Sequence, residues 1–147
     1  MGVVQRAAGP FVRRALSADH PTRLGRSLML LTVRGRRSGR EFTLPVQYAR
    51  QDSTVWVLPG HPETKTWWRN LRPSAPVRLH VEGVDLAGTG QAISGDADPD
   101  QVVEGLHAYL HRFPAAARAV GVKADADEEA FRAAAGRCIL VRIQTER

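Results

Sequence analysis

The chain has 147 residues, 43% hydrophobic and 24% charged, with Cys138 its one cysteine; such a chain suits one domain, spanning 1–147, with a core of its own. No apolar run exceeds four residues, Leu28 to Leu31 being one, which excludes a bilayer-spanning helix, and a lone cysteine excludes an internal disulfide and every multi-cysteine zinc motif. The net charge of +6 is concentrated in residues 1–40, where nine arginines face Asp19 alone, so that segment carries +8 and the rest −2; a basic front on a near-neutral body points to an anionic partner such as phosphate, nucleic acid or an acidic membrane.

Residues 1–26 read as a basic arm, with a short amphipathic helix over 9–18 that His20-Pro21 ends. Val3 and Val4 are too few for the apolar region of a secretory signal and Arg6 interrupts them, so the cytoplasm is the expected compartment, with weak contact between the arm and an anionic membrane as the variant. Residues 27–34 are a buried strand carried by Leu28, Leu30, Leu31, Thr32 and Val33. An arginine-rich turn over Gly35 to Gly39 follows. Residues 42–50 alternate, Phe42, Leu44, Val46 and Tyr48 on one face, with Pro45 marking an edge or a bulge. A third strand, 54–58, sets Val55 and Val57 opposite Trp56.

The spacing then predicts a short helix over 64–72 holding Trp67, Trp68 and Leu71, stopped before Pro73. Strands 77–82 and 84–94 join through Glu82-Gly83. Asp98, Pro99 and Gln101 form a capping box opening a helix whose stripe is Val103, Leu106, Leu110 and Phe113. Gly121 ends a brief turn after Pro114. Asp125 with Glu128 caps a second helix that Gly136 stops, and strand 138–144 closes the chain. Six strands joined mostly by hairpins exclude a doubly wound sheet. They fit a mainly β (α+β) antiparallel barrel with helices packed at its ends.

Few residues offer chemistry by themselves. Gly35-Arg36-Arg37-Ser38-Gly39-Arg40 is a glycine-bracketed turn with outward N–H groups, three guanidiniums and a hydroxyl, able to fork onto phosphate or carboxylate oxygens; a solvated hairpin tip is the plainer reading. Adjacent indoles on a helix, Trp67 and Trp68, point about 100° apart, which sends one inward and leaves the other for a flat ligand, unless both are core. Glu104, His107 and His111 share a helix face at metal-clamp spacing, yet lie opposite the apolar stripe with no second ligand group, and read as solvated surface. His61 beside Gly60 is an isolated candidate, and Cys138 reads as a buried thiol. No nucleophile elbow or paired-carboxylate motif is present. A bound cofactor would therefore carry any reaction.

The run Leu30-Leu31-Thr32-Val33-Arg34-Gly35-Arg36-Arg37-Ser38-Gly39-Arg40, then Leu44-Pro45-Val46-Gln47-Tyr48, then Trp67-Trp68-Arg69-Asn70-Leu71-Arg72 resembles the deazaflavin-dependent nitroreductase family, over roughly half the chain. That resemblance implies a split β-barrel and the deazaflavin coenzyme F420, with its phosphate and oligoglutamate tail; FMN is the lesser alternative, and related barrels also hold haem. It implies that Arg36, Arg37 and Ser38, with Gly39, hold the phosphate and tail. Pro45 and Val46 would pass beside the rings, Trp67 would pack near them, and Asn70 would support the helix. Tyr48, Trp68 and Tyr109 would face the substrate. Two departures stand out: Phe42 replaces a basic residue, and the loop Leu58 to Glu63 lacks the small phosphate-binding residues usual there. Pro59 and Gly60 then form that wall of the site, and Arg40 or Lys65 would supply the compensating charge.

The implied activity is hydride transfer from the reduced deazaflavin to a small-molecule acceptor: a nitroaromatic, a quinone or an activated alkene. The rival is a non-catalytic split barrel that has lost deazaflavin and binds a flat lipid or quinone. Nucleic-acid binding by the basic segment lacks a recognition helix or aromatic strand and is not expected. A monomer or a homodimer fits equally.

Overall fold

The computed structural model describes residues 27–146; the arm over 1–26 and its helix lie outside the described residues. Seven strands form one antiparallel sheet. They are β1 (Leu28–Arg34), β2 (Glu41–Gln47), β3 (Ala49–Gln51), β4 (Thr54–Val57), β5 (Ala75–Val81), β6 (Val84–Ser94) and β7 (Ile139–Thr145). Their lateral order is β2-β1-β5-β6-β7-β4-β3. The two ends of that order, β2 and β3, are separated in the chain by Tyr48 alone. One nearly continuous strand thus supplies both edges, which forces the sheet to curl until its edges meet at Tyr48.

The segment expected as one strand over 42–50 is therefore two, and the strand count is seven rather than six. Burial explains the break. Phe42 and Leu44 are buried at period two, but Tyr48 and Ala49 are both buried in succession, so the alternation changes phase there and the strand changes partner. Pro45 costs no ladder bond on a central strand, because β2 pairs only with β1 (Leu30 opposite Pro45). Glu82 and Gly83 take φ of 51° and 80°, as a two-residue hairpin turn requires.

Alternation divides the apolar residues into two cores. Met29, Leu31, Leu44, Val55, Val57, Leu79, Val141 and Ile143 fill the barrel interior with Trp67, Trp68 and Leu71. Trp56, Ile93 and Leu140 point out of the same sheet and are covered by helices α1 (Pro99–Arg112) and α2 (Glu128–Ala135). The buried face of α1 is Val102, Gly105, Leu106 and Tyr109, turned by about one residue from the expected stripe. Gly105 causes this: a Cβ there would stand 2.3 Å from Leu140 Cδ2 and 2.4 Å from Trp56 Cε3, so the helix approaches the sheet at this residue.

Asp98 caps α1 as expected, its Oδ1 accepting from Gln101 N at 3.3 Å. The reciprocal half differs: Gln101 Nε2 donates to Asp98 Oδ2, because Asp98 N already donates to Ser94 O. The cap of α2 is Asp127, accepting from Ala130 N at 2.8 Å, two residues beyond the expected Asp125. The helix expected over 64–72 is a 3₁₀ helix of Trp67–Leu71; a second 3₁₀ helix, Pro114–Val120, follows α1 and is ended by Gly121 at φ 76°.

Candidate active site

A cavity of about 1140 Å³ opens between β2, the loop after β4, the first 3₁₀ helix and the end of α1. Leu44, Pro45 and Val46 form one wall, Val57 to Thr66 a second, with Trp67 beside them. Tyr109, Ala116, Ala119, Val120 and Gly121 make a third, and Arg137, Cys138 and Ile139 close it. Its surface is predominantly apolar, and three exposed charged residues stand at its margin, Lys65 and Arg137 positive and Glu63 negative. A flat, partly anionic ligand suits such a site: apolar walls take the rings, and a few polar groups set the orientation.

The loop over 59–66 is held in place. Thr64 N and Lys65 N both donate to His61 O, with His61 at φ 50°, and the Trp68 indole N–H donates to Pro62 O at 3.1 Å. Trp68 therefore does not face the cavity. It is buried beside Trp67 in the barrel core, and Arg69 and Arg72 lie over its ring at 5.6 and 5.1 Å. The expected division between an inward and a ligand-facing indole gives way to two buried ones, of which Trp67 also lines the cavity. The cause is the loop folding back onto Trp68.

A second groove, of about 500 Å³, lies at the β1–β2 hairpin and is lined by Arg34, Arg36, Gly39, Asn70 and Arg78 among others. It shares no lining residue with the large cavity. Arg78 is paired with Glu41 at 3.0 Å. Few turn N–H groups are outward here, contrary to expectation. Gly35 N and Gly39 N are bonded within the turn, Arg40 N donates to Ser38 Oγ, and Arg36 N donates to Asn70 Oδ1 at 2.9 Å. A short turn satisfies its own backbone before any ligand. Among the described residues Arg37 N and Ser38 N have no such bond, so two amides remain for an anion beside the guanidiniums.

Asn70 joins the two regions. Its Oδ1 holds the hairpin, and its Nδ2 donates to Trp67 O at 3.0 Å. Trp67 and Asn70 are three residues apart on a 3₁₀ helix, about 6 Å along its axis. The large cavity and the arginine groove thus flank one helical turn, so a ligand with flat rings and a long acidic tail can reach both.

Of the residues singled out in the sequence, Pro45, Val46, Pro59, Gly60, Lys65, Trp67 and Tyr109 line the large cavity. Arg36, Gly39 and Asn70 line the groove. Arg37, Ser38 and Arg40 are exposed at the turn and line neither. Tyr48 is fully buried at the barrel corner beneath Arg112, whose guanidinium carbon is 4.6 Å from the ring centroid, and it does not line the cavity. Burial first, then Glu82, raises its pKa, against Arg112. Arg137, Ala116 and Ala119 have no motif and reach the cavity only through the tertiary fold. Burial likewise raises the pKa of Cys138, against Arg137, so the thiol is no ready nucleophile. His107 stacks flat on Phe131 at 3.8 Å. Among the described residues no group of His, Cys, Asp and Glu is placed to hold a metal ion, and no helix is long and apolar enough to cross a membrane.

Solved structures share this architecture. An F420-H2 dependent reductase, FDR-A, superposes with a TM-score of 0.59 at 14% identity, over 81% of this chain and 95% of that one. A chain described as a domain-swapped dimer gives 0.61 at 15% identity, over 99% and 100%. Rv2991 from Mycobacterium tuberculosis gives 0.50 at 13% identity, over 95% and 81%. At these identities the superpositions show the split-barrel fold alone. No curated protein sequence matches the chain. The family model for F420H(2)-dependent quinone reductase matches residues 6–133, which takes in the hairpin, the three walls of the cavity and α1, and stops short of the closing residues Arg137 to Ile139; the chain belongs to that family and is an F420-dependent reductase.

Proposed function

We propose that this protein reduces flat, uncharged acceptors, quinones foremost, with nitroaromatics and activated alkenes as further substrates, in the large cavity beside Trp67. The observation that carries this reading is a roomy apolar cavity next to a groove bearing free guanidiniums, the two separated by one 3₁₀ turn. Bound F420H2 supplies the hydride. The chain binds and orients. Pro45, Val46 and Trp67 offer the apolar surface for the ring system. Lys65 and Arg137 neutralise charge at the cavity margin, and Arg36, with Arg37 and Arg40 at the turn, takes the acidic tail. Burial of reactants in such a cavity excludes water and fixes their approach, which is the main contribution a protein makes to chemistry carried by a cofactor.

The test is F420H2-dependent reduction of menadione by the wild-type protein and by Arg36→Glu/Arg37→Glu. Charge reversal should weaken F420 binding at least about tenfold, since each charge-assisted bond contributes about 1.5–3 kcal/mol, and the remaining binding should lose its salt sensitivity. Unchanged affinity in the double variant rejects the tail assignment. A wild-type protein that binds menadione but no F420 supports the rival, a split barrel that has lost deazaflavin.

A further inference from the structure

We propose that the Tyr109 hydroxyl is the hydrogen-bond donor that receives the reducible oxygen of a flat carbonyl acceptor in the large cavity. This rests on the reading above that the cavity holds such an acceptor.

Three observations converge on this residue. Tyr109 lines the cavity while only 3% exposed, so its ring is embedded in the wall and its position is fixed by packing. It sits one turn after Gly105, the residue that seats α1 against the sheet, and its ring lies 5.1 Å from that of Phe113. No hydrogen bond to its hydroxyl is found among the described residues, and that oxygen is not among the fully buried unpartnered atoms, which are Tyr48 Oη and His80 Nε2; the hydroxyl keeps some exposure on the cavity it lines. A phenol held by its ring in a cavity wall, with its oxygen unpartnered and not sealed off, is free to donate to a ligand atom.

On its own wall Tyr109 has no rival donor. The wall made by α1 and the following 3₁₀ helix consists otherwise of Ala116, Ala119, Val120 and Gly121, none with a polar side-chain atom. Other side-chain donors of the lining, Gln47, His61, Thr64, Lys65, Thr66 and Arg137, belong to the other walls; of these the Thr64 hydroxyl donates to His61 O and Arg137 Nη1 to Ala133 O. Burial lifts the Tyr109 pKa to about 12, so the hydroxyl stays protonated across the neutral range and acts as a donor, not as a base. A neutral acceptor oxygen takes a modest hydrogen bond. The same oxygen bearing the charge that reduction places on it takes a stronger one, and Tyr109 is then a fixed dipole aimed at developing charge. No bond to Tyr109 forms or breaks, and it keeps its proton. The small side chains of Ala116 and Ala119 leave room for the rest of the acceptor.

The test separates the hydrogen bond from general stickiness by comparing two ligands of one shape, menadione and 2-methylnaphthalene, which lacks the oxygens. Their binding to the purified chain is read from tryptophan quenching, Trp67 being in the cavity. The wild-type protein should bind menadione more tightly than its hydrocarbon analogue. In Tyr109→Phe, menadione affinity should fall about 2- to 12-fold, the range for one hydrogen bond, while that of 2-methylnaphthalene stays within a factor of two. With F420H2 as reductant, kcat for menadione should fall more than its affinity, by about tenfold or greater. Equal menadione affinity in wild type and variant, or parallel losses for both ligands, overturns the assignment, as does a wild-type protein that prefers the hydrocarbon or binds neither ligand. Should the wild type bind menadione with the Tyr109 dependence yet show no turnover, the donor assignment stands and the proposed reaction fails. Turnover unaffected by Tyr109→Phe removes the donor and leaves the reaction in place. The wild-type ligand comparison needs no variant and stands whether or not Tyr109→Phe folds.

Discussion

Replacing Gly105 with alanine adds a single methyl group where the structure has no space for one. The new Cβ would lie 2.3 Å from Leu140 Cδ2, 2.4 Å from Trp56 Cε3 and 2.6 Å from Trp56 Cζ3. Leu140 can yield by turning its terminal methyl. Trp56 cannot, since its indole N–H is tied to Gln51 Oε1 at 3.1 Å and the ring is 2% exposed. Relief therefore requires α1 to lift from the sheet by about 1 Å, a typical carbon–carbon contact being about 3.5 Å or more. Such overpacking costs about 3 kcal/mol. Alanine regains about 1 kcal/mol of helix propensity, leaving a net loss of about 2 kcal/mol, or roughly 6 °C in Tm for a domain of this size. Thermal and urea unfolding measure it. Tyr109 moves with the helix, so menadione affinity should fall in parallel. A Gly105→Ala protein as stable as wild type, or more stable, refutes the close seating of α1 and with it the fixed position claimed for Tyr109.

Two further outcomes follow from the same geometry. Asn70→Ala removes the acceptor of Arg36 N and a side-chain donor to Trp67 O, and should cost about 1–2 kcal/mol in urea unfolding; it should also weaken F420 more than menadione, because it loosens the hairpin as well as the indole. Tyr109 carries a pH signature. Its pKa is about 12 when folded against 10.0 for an ordinary phenol side chain, so the unfolded chain loses this proton first, and stability falls as pH rises from 10 to 12. The full passage is worth about 3 kcal/mol, seen as a steeper alkaline loss in wild type than in Tyr109→Phe; identical slopes contradict the burial of this hydroxyl.

The strands were legible because their apolar residues keep period two: Val77, Leu79 and Val81, or Val55 and Val57 against Trp56, fall on the expected faces. Glu82-Gly83 and Asp98-Pro99 act through local backbone chemistry, which needs no tertiary knowledge. Local rules failed where a distant residue decides. Tyr48 breaks its strand because the barrel must close there. The stripe of α1 turned because Gly105 meets Trp56, some fifty residues away in the chain. Asp127 displaced Asp125 as a cap at no visible cost in pattern, since both stand three residues or fewer ahead of a glutamate. The cavity was half legible. Pro45, Val46 and Trp67 belong to motifs, whereas Arg137, Ala116 and Ala119 are ordinary residues until the fold gathers them. Trp68 was misplaced because nothing local shows that the Pro62 carbonyl would fold back onto its indole.

The central claim is that the deazaflavin rings lie against Trp67. Titrating oxidised F420 into the wild-type protein and into Trp67→Phe, with tryptophan fluorescence as the signal, tests it most directly. Saturable quenching in wild type, with most of that quenching lost and affinity reduced several-fold in Trp67→Phe, is the predicted result. Full quenching at unchanged affinity in Trp67→Phe, or no saturable binding to wild type, would contradict it.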